Sequence, residues 1–304
     1  MRAAVLLLAL GCGGDNTAPP PSPGLEDTSE PPLEDLFSFV VLADPHLTDT
    51  ALDHQERLSA AVEWVNSQPD VELVVVVGDI GWSGGLPIGK ALLDGLTMPY
   101  VPIIGDNEVH IDAEKTFDEV FSEQYALLAT VVDDFERGEV EVENPEWGVT
   151  SWFQNLSFEY RGIRFLGLDW CSRNMDGILG EMAALHDFDG GTFPWFSDQI
   201  GAIEAGADEN VLLFSHHPMY MSPGAFNIDD MARISDVTRP LADRIAAAWA
   251  GHYHLSWDED VPSAGYSIHI TDATWDDENT ARVVRVRGNG ERFVYEQELV
   301  IIPP

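Results

Sequence analysis

Aspartate and histidine side chains recur directly after apolar runs of this sequence, at five places along the chain. In order, the five segments read Asp44-Pro45-His46, Gly78-Asp79, Gly105-Asp106-Asn107-Glu108, His216-His217-Pro218 and Gly251-His252-Tyr253-His254. Carboxylate oxygens and imidazole nitrogens are ligands for transition-metal ions such as zinc, iron, manganese and nickel. One such segment is more often an ordinary polar turn. Five of them in one chain predict a metal site with mixed oxygen and nitrogen ligands.

The apolar runs before these segments have the character of buried strands. Residues 37–43 are predicted to form a buried strand, and residues 72–77 contain the continuous apolar run Leu73 to Val77, typical of a strand that is covered on both faces. Between them, Leu58, Val62 and Val65 recur at helical spacing. Strands that alternate with helices indicate a largely parallel sheet, in which ligands collect beyond the carboxyl ends of the strands. Asp44 and His46 are two residues apart, so both can point to one ion.

The remaining chain extends this α/β pattern. Further strands are predicted at residues 100–104, 151–160, 163–169, 211–214, 247–250, 267–271, 281–287 and 292–299. Further helices are predicted at residues 90–96, 112–132 and 195–205. The acidic stretch 133–146 is expected to be an exposed excursion, and Gly288-Asn289-Gly290 is expected to be a hairpin turn. We therefore expect one α/β domain over residues 36–304.

The order of the five segments resembles the signature of calcineurin-like metallophosphoesterases. That signature runs Asp-x-His, Gly-Asp, Gly-Asn-His-Glu/Asp, His-x-Pro and Gly-His-x-His, and the resemblance spans residues 37 to about 275. It implies an α/β fold of two packed mixed β-sheets flanked by helices, which is a four-layer sandwich. It also implies hydrolysis of a phosphomonoester or phosphodiester by a hydroxide that bridges two metal ions.

The resemblance implies which residues hold each ion. Those for the first ion are Asp44, His46, Asp79 and His254. Those for the second ion are Asp79, Asn107, His216 and His252. Two ions about 3.5–4 Å apart can clamp a phosphate and lower the pKa of a bridging water. The ligand types suit divalent or trivalent Mn, Fe, Zn or Ni, and the sequence leaves the choice open.

Two positions depart from the family pattern. We align Asn107 with the ligand asparagine of Gly-Asn-His-Glu, so that Glu108 replaces the histidine that assists the leaving group and Asp106 is an extra acid. The predicted catalytic residues are thus Asp79, Asn107, Glu108 and His217, with His110 as another possible proton donor. Trp82 stands where purple acid phosphatases have an iron-binding tyrosine. Because indole offers no such ligand, we do not expect a purple enzyme.

The start of the chain resembles a bacterial lipoprotein signal. Arg2 precedes an apolar run at residues 3–10, which is too short for the roughly 20 residues of a membrane span. The run leads to Cys12, as in a lipobox, although Ala9 stands where leucine is usual. We expect a signal peptide over residues 1–11 and a proline- and acid-rich tether over residues 12–35. The protein would then be lipid-anchored outside the cytoplasm, in the periplasm or at the cell surface.

The charge balance bears on the partners of the protein. The chain has 53 acidic and 15 basic residues, with a formal net charge of −38. Such a surface repels nucleic acid, so we expect a small phosphoester substrate and a membrane contact only through the anchor at Cys12.

The chain has two cysteines, too few for a disulfide framework. The alternative function is a surface binding lipoprotein on the same fold with weakened catalysis. The oligomeric state stays open.

Overall fold

The computed structural model describes residues 31–110, 114–174, 182–203, 210–276, 278–289 and 292–303. The helices are α1 (Leu52–Asn66), α2 (Gly85–Leu93), α3 (Asp106–His110), α4 (Glu114–Leu128), α5 (Thr192–Gly201) and α6 (Ile228–Thr238), with a 3₁₀ turn at Arg239–Leu241. The first seven strands are β1 (Glu34–Leu42), β2 (Val71–Val77), β3 (Tyr100–Ile103), β4 (Asp133–Arg137), β5 (Glu141–Asn144), β6 (Val149–Trp152) and β7 (Leu156–Tyr160). The other seven are β8 (Ile163–Leu168), β9 (Asn210–Ser215), β10 (Ile245–Ala250), β11 (Trp257–Val261), β12 (Tyr266–Ile270), β13 (Thr280–Gly288) and β14 (Phe293–Ile301).

These strands form two large mixed sheets. The first has the order β14-β13-β1-β2-β3, and the second has the order β11-β12-β10-β9-β8-β7-β4. Strands β1, β2 and β3 run parallel in the first sheet, as do β8, β9, β10 and β12 in the second. Antiparallel strands complete both sheets, and β5 pairs with β6 in a separate hairpin. Two mixed sheets flanked by helices confirm the predicted fold class.

The two sheets meet in an aromatic core. Phe39 of β1 points out of the first sheet, and its ring lies 5.7 Å from Phe165, 5.9 Å from Phe214 and 5.5 Å from Trp249 in the second. Edge-to-face contacts of this kind are favoured by the ring quadrupoles and exclude water from the interface. The core therefore holds the two sheets together directly beneath the strand ends that carry the polar segments.

Helical periodicity explains how the outer face of the first sheet is covered. Helix α1 buries Leu58, Ala61, Val62 and Val65, the residues whose spacing predicted it.

Helix α6 was not predicted from the sequence. It begins after Asn227, whose side chain accepts hydrogen bonds from the backbone of Asp229 and Asp230 as an N-cap.

The acidic stretch 133–146 departs from its expected form. Instead of an exposed excursion it forms β4, which pairs with β7 at the edge of the second sheet, and β5, which pairs with β6. Val142 and Asn144 are buried while their neighbours are exposed, the period-2 pattern of a half-buried strand. The predicted helix over 112–132 is shorter, and the predicted strand over 151–160 is divided between β6 and β7.

The predicted hairpin near Gly288 is present as an antiparallel pair, in which Gly288 lies opposite Phe293. Gly290 lies outside the described residues. The predicted signal peptide and most of the predicted tether also lie outside them, so both stay predictions. Within the described ranges, no helix is both long enough and apolar enough to cross a membrane.

Candidate metal centre

The five polar segments converge at one edge of the sandwich because they follow parallel strands. Backbone hydrogen bonds continue past the strand ends: His46 N donates to Asp79 O at 2.9 Å, and Gly251 N donates to His216 O at 3.1 Å. The first bond joins the loops after β1 and β2, and the second joins the loops after β9 and β10. The polar segments are thus extensions of the two sheets, whose carboxyl ends lie side by side.

One group of side chains gathers around the loop after β1. Its ligand atoms all lie within 4.8 Å of one another and belong to Asp44, His46, Asp79 and His254. His46 Nε2 lies 3.2 Å from Asp79 Oδ2, and His254 Nε2 lies 3.7 Å from Asp44 Oδ1. These are the four residues that the resemblance implied for the first ion.

A second group adjoins the first. It consists of Asp106, His216 and His252. His216 Nε2 lies 2.9 Å from Asp106 Oδ1, and His252 Nδ1 lies 3.7 Å from the same oxygen. Asp79 reaches both groups, because its Oδ1 is 3.5 Å from His216 Nε2 while its Oδ2 faces His46. A carboxylate in this position can bridge two ions.

Asp106 corrects the predicted alignment of the third motif. Asp106 lies with the two histidines of the second group, its Oδ1 2.9 Å from His216 Nε2 and 3.7 Å from His252 Nδ1. Asn107 instead donates from its backbone N–H to Asp79 Oδ1 at 3.0 Å and from its side-chain amide to Asp79 Oδ2. Gly-Asp-Asn-Glu therefore matches Gly-Asn-His-Glu position for position. Asp106 takes the place of the ligand asparagine, and Asn107 takes the place of the histidine.

Glu108 is not at the open site, contrary to the prediction that it replaces the leaving-group histidine. It is fully buried. Its Oε2 accepts from the backbone N–H groups of Gly105 at 2.6 Å and Asp79 at 3.1 Å, and its Oε1 accepts from Gly81 at 2.8 Å. Because both oxygens are occupied by backbone donors, Glu108 holds the loops after β2 and β3 in position instead of facing substrate.

Several candidate ligands have strained backbone conformations. Five of the nine described non-glycine residues with positive φ belong to the two groups: Asp44, His46, Asp79, His252 and His254, with φ between 48° and 72°. Such conformations cost free energy for residues with a Cβ and tend to persist at functional sites. Here they turn each side chain from the end of its strand toward the shared centre.

Glycines in the motifs allow the close approach of the carboxylates. A Cβ on Gly105 would collide with the backbone and Oδ1 of Asp79, and a Cβ on Gly251 would collide with Asp44 Oδ2. Glycine before the ligand in Gly-Asp and Gly-His is thus required by packing between neighbouring loops.

Burial and mutual charge dominate the electrostatics of the centre. Burial raises the pKa of Asp44 well above its usual range, although His216 opposes this shift. Burial lowers the pKa of His216, but Asp79, Asp106 and Asp44 outweigh it and hold that pKa well above its usual value. Burial and the neighbouring His46 lower the pKa of His254 to about 4. His254 is therefore a neutral imidazole at neutral pH, the form that binds metal.

The residues of both groups fit divalent transition-metal ions. His46 Nε2 is buried and has no hydrogen-bond partner in the described structure, although it faces two carboxylates. His216 Nδ1 lies 3.1 Å from Val77 O, a contact that orients the ring so that Nε2 faces Asp106. Buried carboxylates are costly unless they are paired or bind cations. Three of them beside four imidazoles make a donor set that suits Mn, Fe, Zn or Ni.

Aromatic and histidine side chains border the centre. Trp82 packs edge-on against His46 at 4.9 Å between ring centroids. Trp275, which the sequence interpretation did not include, stacks on His46 at 5.5 Å with an interplanar angle of 26°. His217 is buried, with its ring 4.4 Å from that of His252, whereas His110 is half-buried at the end of α3. His217 is thus in direct ring contact with His252 of the second group.

Comparison with known proteins supports the interpretation of the two ligand groups as a phosphoesterase metal centre. The family model for calcineurin-like phosphoesterases matches residues 37–256, most of the chain. A probable cyclic nucleotide phosphodiesterase of Rhodopseudomonas palustris is 29% identical over 194 residues, which cover 60% of this chain and 58% of the relative. This chain therefore matches little more than half the length of that relative.

A solved structure shows the same fold. A provisionally assigned 5'-nucleotidase of Staphylococcus aureus superposes with a TM-score of 0.51 at 14% identity, over 88% of this chain and 54% of the other. The residues of the two adjoining groups all lie within the segment that the family model matches. Trp275, which stacks on His46, lies outside that segment. The chain belongs to the family of calcineurin-like phosphoesterases.

Proposed function

We propose that this protein hydrolyses a small phosphomonoester or phosphodiester with two metal ions held by the two adjoining groups. The observation that carries the proposal is the position of Asp79, whose two oxygens face His46 of one group and His216 of the other. When bound, two divalent ions supply Lewis acidity that polarises the phosphoryl oxygens and activates water.

The chain's own residues position these reactants. Asp79 holds the two ligand groups at a fixed separation, and Asn107 fixes the Asp79 carboxylate through its backbone and side-chain amides. Asn107 has no titratable proton, so it can donate a hydrogen bond to a phosphoryl oxygen but cannot protonate a leaving alkoxide. His217, beside His252, is the residue best placed to hold a proton for the leaving group.

The test is a screen of the full chain after reconstitution with Mn, Fe, Zn or Ni. The substrates are 4-nitrophenyl phosphate and bis(4-nitrophenyl) phosphate, and Asp79→Asn is compared with Asp229→Asn, which removes an exposed acid of α6. We expect hydrolysis that Asp79→Asn abolishes and Asp229→Asn preserves. Protein that binds two ions and phosphate but turns over neither ester would instead support the binding lipoprotein, for which the loss of the motif histidine at Asn107 is the supporting observation.

The location of the enzyme is a separate proposal that rests on the sequence alone. Cys12, after the apolar run at residues 3–10, would be lipidated and would anchor the protein outside the cytoplasm. Full-length protein with Cys12 and its Cys12→Ser variant should differ in detergent partitioning when expressed in a bacterium. Identical behaviour as soluble proteins would contradict the anchor.

A further inference from the structure

The ligand set contains an acid at a position where the motif it resembles has a neutral amide. Asp106 stands in place of the asparagine of Gly-Asn-His-Glu, 2.9 Å from His216 and 3.7 Å from His252. The residue is only 5% exposed. It therefore adds a full negative charge within the second group, where little water screens it.

From this geometry we infer that Asp106 lowers the positive charge offered to substrate and so shifts the preference of the site away from dianionic phosphomonoesters and toward monoanionic phosphodiesters. The inference rests on the proposed function, and it names the substrate class of the same centre. Asp106 acts in it as a metal ligand that also determines specificity.

The charges of the ligand residues show how much Asp106 changes the net charge of the metal-loaded centre. Two divalent ions carry four positive charges, and the carboxylates of Asp44, Asp79 and Asp106 cancel three of them, because the four imidazoles are neutral as ligands. With asparagine at position 106 the carboxylates would cancel only two. One unit of charge remains in the first case and two remain in the second.

No basic side chain offsets this loss in the contacts of the carboxylates. In the described part of the chain, the ion pairs of Asp44, Asp79 and Asp106 are with His46, His216, His252 and His254. A monoester and a diester differ by one negative charge, so the monoester loses more attraction. A unit charge a few ångströms away, at an intermediate effective dielectric constant, changes relative affinity by about tenfold or more.

The experiment measures binding, so that it does not depend on turnover. Isothermal titration of the full, metal-loaded chain compares methyl phosphate, a dianion at pH 8, with dimethyl phosphate, a monoanion. Elemental analysis confirms that two ions remain bound in each sample. We expect Asp106→Asn to bind methyl phosphate about tenfold more tightly than wild type does, with little change for dimethyl phosphate. Asp229→Asn, which removes an exposed charge outside both groups, should leave this ratio unchanged.

Two results would overturn the inference. One is an Asp106→Asn variant that holds two ions but shifts neither ligand, or shifts both equally. The other needs only wild type: methyl phosphate bound more than about 100-fold more tightly than dimethyl phosphate would show a preference for dianions too large for a single residual charge. This second measurement decides the matter even if Asp106→Asn loses an ion. Failure of the proposed function looks different, because metal-loaded protein would then hydrolyse no ester whatever its binding preference.

Discussion

Glu108 Oε1 accepts a hydrogen bond from the backbone N–H of Gly81 at 2.8 Å, which ties the loop after β3 to the loop after β2. The other oxygen of the same carboxylate accepts from Asp79 and Gly105. A buried acid thus stabilises the backbone that presents Asp79 and Asp106.

Glu108→Gln should destabilise the fold, because one carboxylate oxygen becomes an amide NH₂ that faces backbone donors. Leaving a buried donor unsatisfied costs about 1–3 kcal/mol, which urea unfolding of the metal-free protein would detect. The control is Glu119→Gln, an exposed acid of α4 that pairs with Lys115 at 3.7 Å, where the expected change is about 0–1 kcal/mol. Equal unfolding midpoints for the two variants would argue against a structural role for Glu108.

Asp79→Asn should disrupt metal binding more than the loss of any other single ligand, because Asp79 reaches both groups. We expect two ions per wild-type chain by elemental analysis and one or none in the variant. Metal should also stabilise the wild-type fold by about 2.7 kcal/mol when its free concentration is 100 times the dissociation constant. A chelator that leaves the unfolding temperature of wild type unchanged would speak against ions at this centre.

Leaving-group chemistry should be unusual, because Asn107 stands where the motif has a histidine. Without a cationic acid at that position, 4-nitrophenyl esters should be cleaved about 10²–10⁴-fold faster than methyl esters. His217→Ala should reduce methyl ester cleavage more than nitrophenyl ester cleavage, whereas Asn107→His should narrow the gap. Similar chemical-step rates for both ester classes, unchanged in His217→Ala and His110→Ala, would rule out this account.

The free energy of unfolding of the metal-free protein should depend on pH in part through His254. Its pKa in the folded protein is about 4, whereas an imidazole in the unfolded chain has a pKa of about 6.5. The unfolded state therefore binds the proton first, and this contribution to stability is complete above pH 6.5 and is lost as pH falls toward 4. His254→Gln should remove that part of the decline. Urea unfolding of both proteins without metal, from pH 8 to pH 4, measures the difference, and parallel curves would contradict it.

Much of the centre follows from sequence because its ligands come directly after buried strands. The continuous apolar run at residues 73–77 leaves little alternative to a covered strand, and the carboxyl end of that strand places Asp79 at the sheet edge. The alignment of the third motif was one residue out. Which of Asp106 and Asn107 faces the histidines depends on where α3 begins, and that backbone detail is not encoded in residue types alone.

Contacts between distant segments account for the other differences. Trp275 supports His46 through ring stacking, although the two residues lie far apart in the sequence, and no local pattern connects them. The acidic strand β4 exists because β7 offers it a partner, and this tertiary pairing outweighs the low strand propensity of Asp and Glu. Both features depend on tertiary contacts, so the sequence of a local segment does not predict them.

The backbone hydrogen bonds that continue from β1 and β2 into the ligand loops have a kinetic consequence. Because His46 N and Leu47 N donate to Asp79 O and Ile80 O, exposing these amides to solvent requires separation of the loops and not just movement of one. Amide hydrogen exchange at His46 and Leu47 should then occur through larger opening events, at rates closer to those of the strand cores than to those of exposed turns. Removing the ions should leave that protection largely in place. The ligand loops should therefore resist local unfolding even in the metal-free protein.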